Sequence, residues 1–284
     1  KNWGFAEGYN RALAQIDAEY YLLLNSDIEV THHWLTPLLE FMDSPPDAAA
    51  CQPKLMSWRE RQRFEYAGAA GGLLDRFGFP FCRGRVLNRV DEDRGQYDAG
   101  ADVMWVSGAC MVTRASLWNA LGGLDDRFFA HMEEIDYCWK AQRLGYSVTV
   151  VPQSTVWHLG GGTLAPESPL KLKLNYRNNL LLLENNLPST IGPARARILV
   201  FTRLLLDGAS AAAYLFTGRP KFAKAVFQAH WEWRKLRRPA VRQVAISPNV
   251  KGFWKICIIL QYFTKGKGVF NYLEHYEDSH SRSR

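Results

Sequence analysis

The sequence predicts an α/β fold with a helical C-terminal region, and three observations carry that prediction. A short apolar run, Tyr20 to Asn25, stops abruptly at Ser26-Asp27. A run of this length reads as a strand buried on both faces. Further apolar runs at Ala48–Leu55, Ala101–Thr113 and Ser147–Val151 alternate with helical patterns. From Leu170 onward the pattern is helical. In open α/β sheets, ligands bind beyond the carboxyl ends of the strands. The residues just past Tyr20–Leu24 are therefore the first place to look for chemistry.

The chain opens on a glycine-bearing loop, Asn2-Trp3-Gly4-Phe5-Ala6-Glu7-Gly8-Tyr9-Asn10, feeding a helix over Asn10 to Ile16. Its glycines permit close backbone approach, and a helix N-terminus favours an anion. After the Tyr20 strand, Asp27 has Asn25 two positions earlier on the same side. Either this pair offers hard oxygen ligands to Mg2+ or Mn2+ carrying a diphosphate, or Asp27 caps a turn before a helix over His33–Met42. That helix ends at Ser44-Pro45-Pro46. Trp58 to Gln96 shows no period and reads as an irregular excursion that shapes a substrate pocket.

The segment Ala101–Thr113 is broken at Ser107-Gly108, as at a bulge or where a ligand approaches closely. A short helix, Arg114–Leu121, ends at Gly122-Gly123. An amphipathic helix follows over His131–Gly145, with Ile135, Cys138, Trp139 and Leu144 as its apolar face. Its first turn holds Glu133, Glu134 and Asp136. Acids there complement the helix dipole, but acids this crowded also repel one another and raise a pKa toward the range a general base needs. His158 then lies between a strand and the loop Gly160-Gly161-Gly162-Thr163, either as a packing residue or as a ligand beside a loop that orders on substrate binding.

Net charge is +7 with a pI of about 9.2, which suits anionic partners. Five widely spaced cysteines without a C-x-x-C pair argue against a zinc site or a disulfide framework and point to a reducing, cytosolic setting. No run of eighteen uninterrupted apolar residues occurs, so a clean transmembrane span is not expected. From Gly192 onward, basic residues outnumber acidic ones by roughly three to one. Aromatics among Lys and Arg, over Lys221–Arg238 and Gly252–Leu273, read as an in-plane membrane anchor or as a helical bundle on the catalytic domain.

In order, NWGFAEGYN, LLLNSD, VSGACMVTR, GGLDDRFFAHMEEIDYCWKAQRLGY and VWHLGGGT resemble family-two glycosyltransferases, in particular a rhamnosyltransferase-like subgroup. The resemblance covers roughly Lys1 to Pro188. It implies an inverting enzyme with the nucleotide-diphospho-sugar-binding GT-A fold and a Mg2+ or Mn2+ cofactor. By position, Asp27 resembles the last acid of the family's DxD element, with Asn25 at the first, and His158 a histidine that joins the metal. Glu134 matches the second acid of the family's ED pair, the catalytic base, and Glu133 the first. The family usually has Asp at the Glu134 position, which leaves the choice between the two glutamates open. Ser107 and Gly108 fall where relatives approach the donor sugar or acceptor. Tyr176-Arg177-Asn178 resembles the family's YRN segment, with Arg177 either at the diphosphate or on a solvated face. The expected donor-binding set is Asn2, Gly4, Asn10, Asn25, Ser107, Gly108, Asp136 and Arg177.

The family's upstream strand, helix and acidic nucleotide-binding stretch are missing from this sequence. The reading is therefore a GT-A sheet lacking its N-terminal strands, with an exposed sheet edge. Residues 1–188 form the catalytic domain and 189–284 a basic amphipathic region. The expected donor is dTDP-rhamnose or a UDP-hexose, and the acceptor a glycan or lipid-linked hydroxyl in cell-surface polysaccharide synthesis. The expected location is the inner face of the cytoplasmic membrane. A non-catalytic basic module binding lipid or nucleic acid is the alternative, although no nucleic-acid motif appears. A sugar-nucleotidyl enzyme would want a glycine-rich nucleotide loop, and none is visible.

Overall fold

A computed structural model describes residues 1–160, 168–237 and 250–281. The elements begin with α1 (Gly4–Leu13), β1 (Tyr20–Leu24), β2 (Ile28–Val30), α2 (Thr36–Asp43) and β3 (Ala48–Ser57). Short strands β4 (Gly72–Asp75), β5 (Pro80–Cys82), β6 (Arg85–Val86), β7 (Arg89–Val90) and β8 (Ala101–Asp102) follow. Next come β9 (Cys110–Arg114), α3 (Ala115–Leu121), α4 (Glu133–Arg143) and β10 (Ser147–His158). The remainder is α5 (Pro169–Ile191), α6 (Pro193–Phe216), α7 (Pro220–Leu236), β11 (Phe253–Trp254), α8 (Ile258–Lys265) and α9 (Val269–Ser281).

The chain divides into two compact units that interleave along the sequence. One comprises Lys1–Glu19, Ser116–Gly145 and Gly161–Val250, the other Tyr20–Ala115, Tyr146–Gly160 and Lys251–Arg284. Pro188 lies inside α5.

The second unit is built on a mixed sheet in the order β1-β9-β3-β10-β2, with β8 also paired to β10. β1 and β3 each run antiparallel to β9, and β3 is parallel to β10. So β1, β3 and β10 point the same way and end at one edge. β1 is an end strand of this sheet and alternates half-buried with buried, Tyr21 and Leu23 facing in. The two-faced burial expected for it belongs instead to β3, which is central and buried from Ala48 to Met56. Helix α2 covers one face through Leu38 and Met42 against Cys51, Val112 and Val151.

Strand β10 runs well past the expected Val151. It crosses Pro152 through a register shift between Val151 and Thr155, and so carries His158 to its carboxyl end. The expected irregular excursion Trp58–Gln96 contains β4 to β7. With β11 these make a second sheet, in the order β11-β4-β5-β6-β7. Strands of two to four residues are too short to show a period. Leu73, Phe81 and Val86 of that sheet pack with Ile256, Ile258, Val269, Phe270 and Leu273. Much of the apolar content of Gly252–Leu273 is thus core, which corrects its reading as a membrane anchor.

In the first unit α5 packs against α4, α6 and α7. Helix α1 begins at Gly4, six residues earlier than expected.

Candidate functional site

In the second unit, the carboxyl edge of the mixed sheet gathers five of the expected positions: Asn25, Asp27, Ser107, Gly108 and His158. The Asn25 backbone N–H donates to the Ala109 carbonyl at 2.9 Å, which places the end of β1 beside the Ser107-Gly108 turn. Asp27 sits in the turn into β2, whose Ile28 pairs with His158. His158 Nε2 lies 3.1 Å from Asp27 Oδ1 and 3.4 Å from Asn25 Nδ2. On the far side of the ring, Nδ1 lies 3.6 Å from Glu65 Oε1. Burial pulls the imidazole pKa down, but Glu65 and Asp27 outweigh it and hold it above the ordinary value. Gly160 adopts φ +65°, and a Cβ there would meet Glu65 Oε1 at 2.8 Å.

Ser107 is buried and anchored from β3: Gln52 Oε1 accepts from the Ser107 N–H at 2.7 Å. Gln52 Nε2 donates to the Ala69 carbonyl at 3.2 Å, fixing two turns at once.

Asp27, Asn25 and His158 fit a hard or borderline divalent ion. Asp27 Oδ1 and His158 Nε2 already face each other, and a site with few protein ligands leaves positions for phosphate oxygens and water. Among the described residues no group of three His, Cys, Asp or Glu side chains is arranged to hold a metal, because Glu65 lies on the other side of the ring.

In the first unit, the acidic turn opens α4. Phe129, His131 and Met132 have φ of +64°, +73° and +74°, a left-handed run of bulky residues that is costly. Helix α5 supports it. Asn178 Nδ2 reaches the carbonyls of Phe128, Ala130 and His131 at 2.7–2.9 Å. Arg177 Nη2 donates to the Phe128 carbonyl at 2.7 Å, and its Nη1 pairs with Glu232 at 3.3 Å. Arg177 is only 8% exposed, so the solvated-face alternative does not describe it. Burial lowers its pKa.

Glu133 is 3% exposed. Burial first, and then its neighbour Glu134, push its carboxyl well above the ordinary range. Glu134 is half-buried, and burial pushes it up to about 7. The Oε2 atoms of both have no hydrogen-bond partner among the described residues. Asp136 differs in having a cation beside it: its Oδ1 accepts from Asn185 at 2.9 Å and Asn186 at 2.7 Å, and its Oδ2, which accepts no hydrogen bond among the described residues, lies 2.5 Å from Lys140 Nζ. Of the three acids, Glu133 and Glu134 accept backbone hydrogen bonds and keep one oxygen free among the described residues, while Asp136 locks α4 to α5.

The N-terminal loop residues also make structural contacts. Asn2 Oδ1 accepts from the Gly4 N–H at 2.9 Å. Gly4 has φ +71°, and a Cβ there would meet the Phe129 carbonyl at 2.5 Å. Asn10 clamps Leu124 from both sides, donating to its carbonyl at 2.7 Å and accepting from its N–H at 2.9 Å. Helix α1 thus braces the strained turn before α4. Gly161, Gly162 and Thr163 lie outside the described residues.

Sequence reasoning missed Glu65, Gln52 and Asn178. Nothing in the sequence links Glu65 to His158, since their approach depends on long-range pairing of β3 and β10. For Asn178 a signal existed, in the polar pair that follows Tyr176 on an otherwise apolar helix.

Residues 1–116 match the family described as Glycosyl transferase family 2. Among curated proteins, the chain is 23% identical to an N-acetylglucosaminyl-diphospho-decaprenol L-rhamnosyltransferase of Mycobacterium tuberculosis, over 64% of each chain. It is 25% identical to the rhamnosyltransferase WbbL of Escherichia coli (strain K12), over 53% of this chain and 58% of that protein. The chain thus spans less than two thirds of the length of either relative. Among solved structures, GalNAc-T7 with UDP, GalNAc and Mn2+ aligns with a TM-score of 0.50 at 13% identity, over 82% of this chain and 43% of that one. That likeness shows the fold, a GT-A-like α/β arrangement with a mixed sheet and a helical C-terminal region. By sequence, residues 1–116 carry the family 2 glycosyltransferase pattern, and the chain is distantly similar to rhamnosyltransferases.

Proposed function

We propose that this protein transfers a sugar, with inversion, from a nucleotide-diphosphate donor to a hydroxyl of a glycan or lipid-linked acceptor in cell-surface glycan synthesis. The observation that carries the reading is the pair of acids opening α4, each with one oxygen that no protein group meets among the described residues, and one of them poised near neutrality. A base works best with a pKa near the operating pH, and Glu134 meets that condition. Burial and the neighbouring Glu134 push the Glu133 carboxyl well above its ordinary range, which favours its neutral form. This reading takes Glu134 as the base.

Glu134 takes the proton of the acceptor hydroxyl as its oxygen attacks the anomeric carbon. The bond from that carbon to the diphosphate breaks, and the nucleoside diphosphate leaves with the electron pair. Asp27 and His158, with Asn25 beside them, would hold Mg2+ or Mn2+, which when bound neutralises the leaving diphosphate. Dependence on a metal belongs to this proposal, as does dTDP-rhamnose as the first donor to test, ahead of UDP-hexoses. The likeness to rhamnosyltransferases supports that order.

The test is turnover of a panel of dTDP-, UDP- and GDP-sugars by the purified protein, with and without Mn2+ or Mg2+. Metal-dependent turnover of one donor, lost in Asp27→Ala, is the expected result. Neither turnover nor donor binding across the panel overturns the reading in favour of a non-catalytic binding module.

A further inference from the structure

Helix α6 is built inside out. Its inward face carries charge: Arg203 Nε pairs with Asp207 Oδ1 at 2.9 Å, and Asp207 Oδ2 lies 3.1 Å from His230 Nε2 on α7. Tyr176 on α5 adds a bond to Ser210 at 2.6 Å. Arg203 and Asp207 are both buried. Its outward face is apolar, with Ile198, Phe201 and Leu205 each at least 60% exposed and Phe216 at 91%. Spacings of three and four put the first three on one stripe. Between Arg197 and Arg219 the only charged residues are Arg203 and Asp207, so the exposed surface of α6 from Ile198 to Phe216 is free of charge over about 28 Å of helix.

By length and composition α6 is the one helix among the described residues able to cross a membrane. The two charges that interrupt it in sequence neutralise each other inside the fold and never reach its outer surface. The neighbouring α7 exposes Phe227 and Trp231, which with Leu215 line a shallow cavity of about 460 Å3 at the α6–α7 junction.

The rim of this surface is basic. Arg195 and Arg197 are exposed at one end of α6, and Lys221 and Lys224 are exposed after its other end. Arg234 and Lys235 close α7, with Lys235 5.1 Å from the Trp231 ring centroid. The acids of these two helices are all engaged: Asp207 as above, and Glu232 by Lys173 at 2.6 Å and Arg177. An apolar strip with cationic ends and no free carboxylate matches an anionic lipid surface, acyl chains below and phosphates at the rim.

We propose that the outward face of α6, with Phe227 and Trp231 of α7, inserts in the plane of an anionic bilayer. An in-plane seat fits better than a span. Only one side of α6 is apolar, its other side is packed on α5 and α7, and α7 exposes lysines and arginines along its length. The inference goes beyond the transfer reading and stands without it.

The experiment is flotation of the full chain with vesicles of phosphatidylcholine alone or mixed with phosphatidylglycerol. Binding to the mixed vesicles that weakens with added salt is the expected result. Phe201→Glu/Leu205→Glu, both exposed positions, lowers the partition coefficient at least about tenfold while the melting curve stays that of the parent. Lys221→Glu/Lys224→Glu lowers it about tenfold or more, on the mixed vesicles only. Equal binding of the Phe201/Leu205 variant overturns the proposal. So does a parent that ignores vesicles but sediments as a dimer which that variant dissociates, since the occupant is then a second copy of the chain.

Discussion

Replacing Glu134 with Gln separates catalysis from stability in opposite directions. Burial raises the Glu134 pKa from the ordinary 4.5 to about 7. A rise of that size corresponds to about 3 kcal/mol at most between the two protonation states. Because the folded-state value is the higher one, the folded protein binds the proton more tightly than the unfolded chain. The ionised side chain therefore destabilises the fold progressively as pH rises from about 4.5 to about 7, with the full cost present above that. Gln keeps the shape without the charge. Glu134→Gln should match the parent's stability near pH 4.5 and exceed it at pH 8 by up to about 3 kcal/mol, about 5 °C in Tm for a chain of this size. The same substitution should lower kcat about 10²–10⁴-fold and remove the acid limb of the parent's pH–rate profile near pH 7. Thermal melts at the two pH values and turnover with the identified donor are the assays. A variant with parental turnover, or one less stable than the parent at pH 8, refutes the argument.

Three further outcomes follow from contacts already described. Asn178→Ala strips the donor from the carbonyls of Phe128, Ala130 and His131, and should cost about 2–4 kcal/mol in urea unfolding, with turnover falling alongside. Asp27→Ala should raise the Mn2+ concentration for half-maximal turnover at least about tenfold, whereas the same change at exposed Asp98 should leave it unchanged. Gly4→Ala drives a methyl onto the Phe129 carbonyl in a left-handed backbone, and should lower Tm by several degrees while donor binding to the remaining folded protein persists.

The sequence made the edge of the mixed sheet legible because its signals are local. A strand that stops at Asn25-Ser26-Asp27 announces its own carboxyl end. The acidic first turn of α4 was legible for the same reason. What could not be read depends on distant pairing or on very short elements. Glu65 meets His158 across 93 positions of sequence only because β3 and β10 are parallel neighbours. The second sheet is made of strands too short for any period, and its partner helices come from the far end of the chain. Arg177 illustrates a different limit. A single arginine on a helix has the same sequence signature whether it meets solvent, a phosphate or a row of carbonyls, and here it meets carbonyls. Counting uninterrupted apolar residues left the outward face of α6 unread, because that count cannot tell an outward charge from one paired inward.

The turn before α4 is where the costs concentrate in the first unit. Three bulky residues in left-handed backbone cost on the order of 1–3 kcal/mol each, and two acids beside them each leave one buried oxygen without a partner among the described residues. A turn with only a structural task could relax by placing glycine at any of these positions and by pairing or removing the acids. Instead, α5 devotes two buried polar side chains to holding the strained carbonyls, and α1 presses Gly4 against one of them. Asp136 shows that the same turn can satisfy an acid when it is used for packing, since Asn185, Asn186 and Lys140 all meet it. Two residues apart on one helix, Asp136 has a lysine and two asparagines against it, while Glu134 Oε2 meets no protein group among the described residues, which is what the proposed role as base requires.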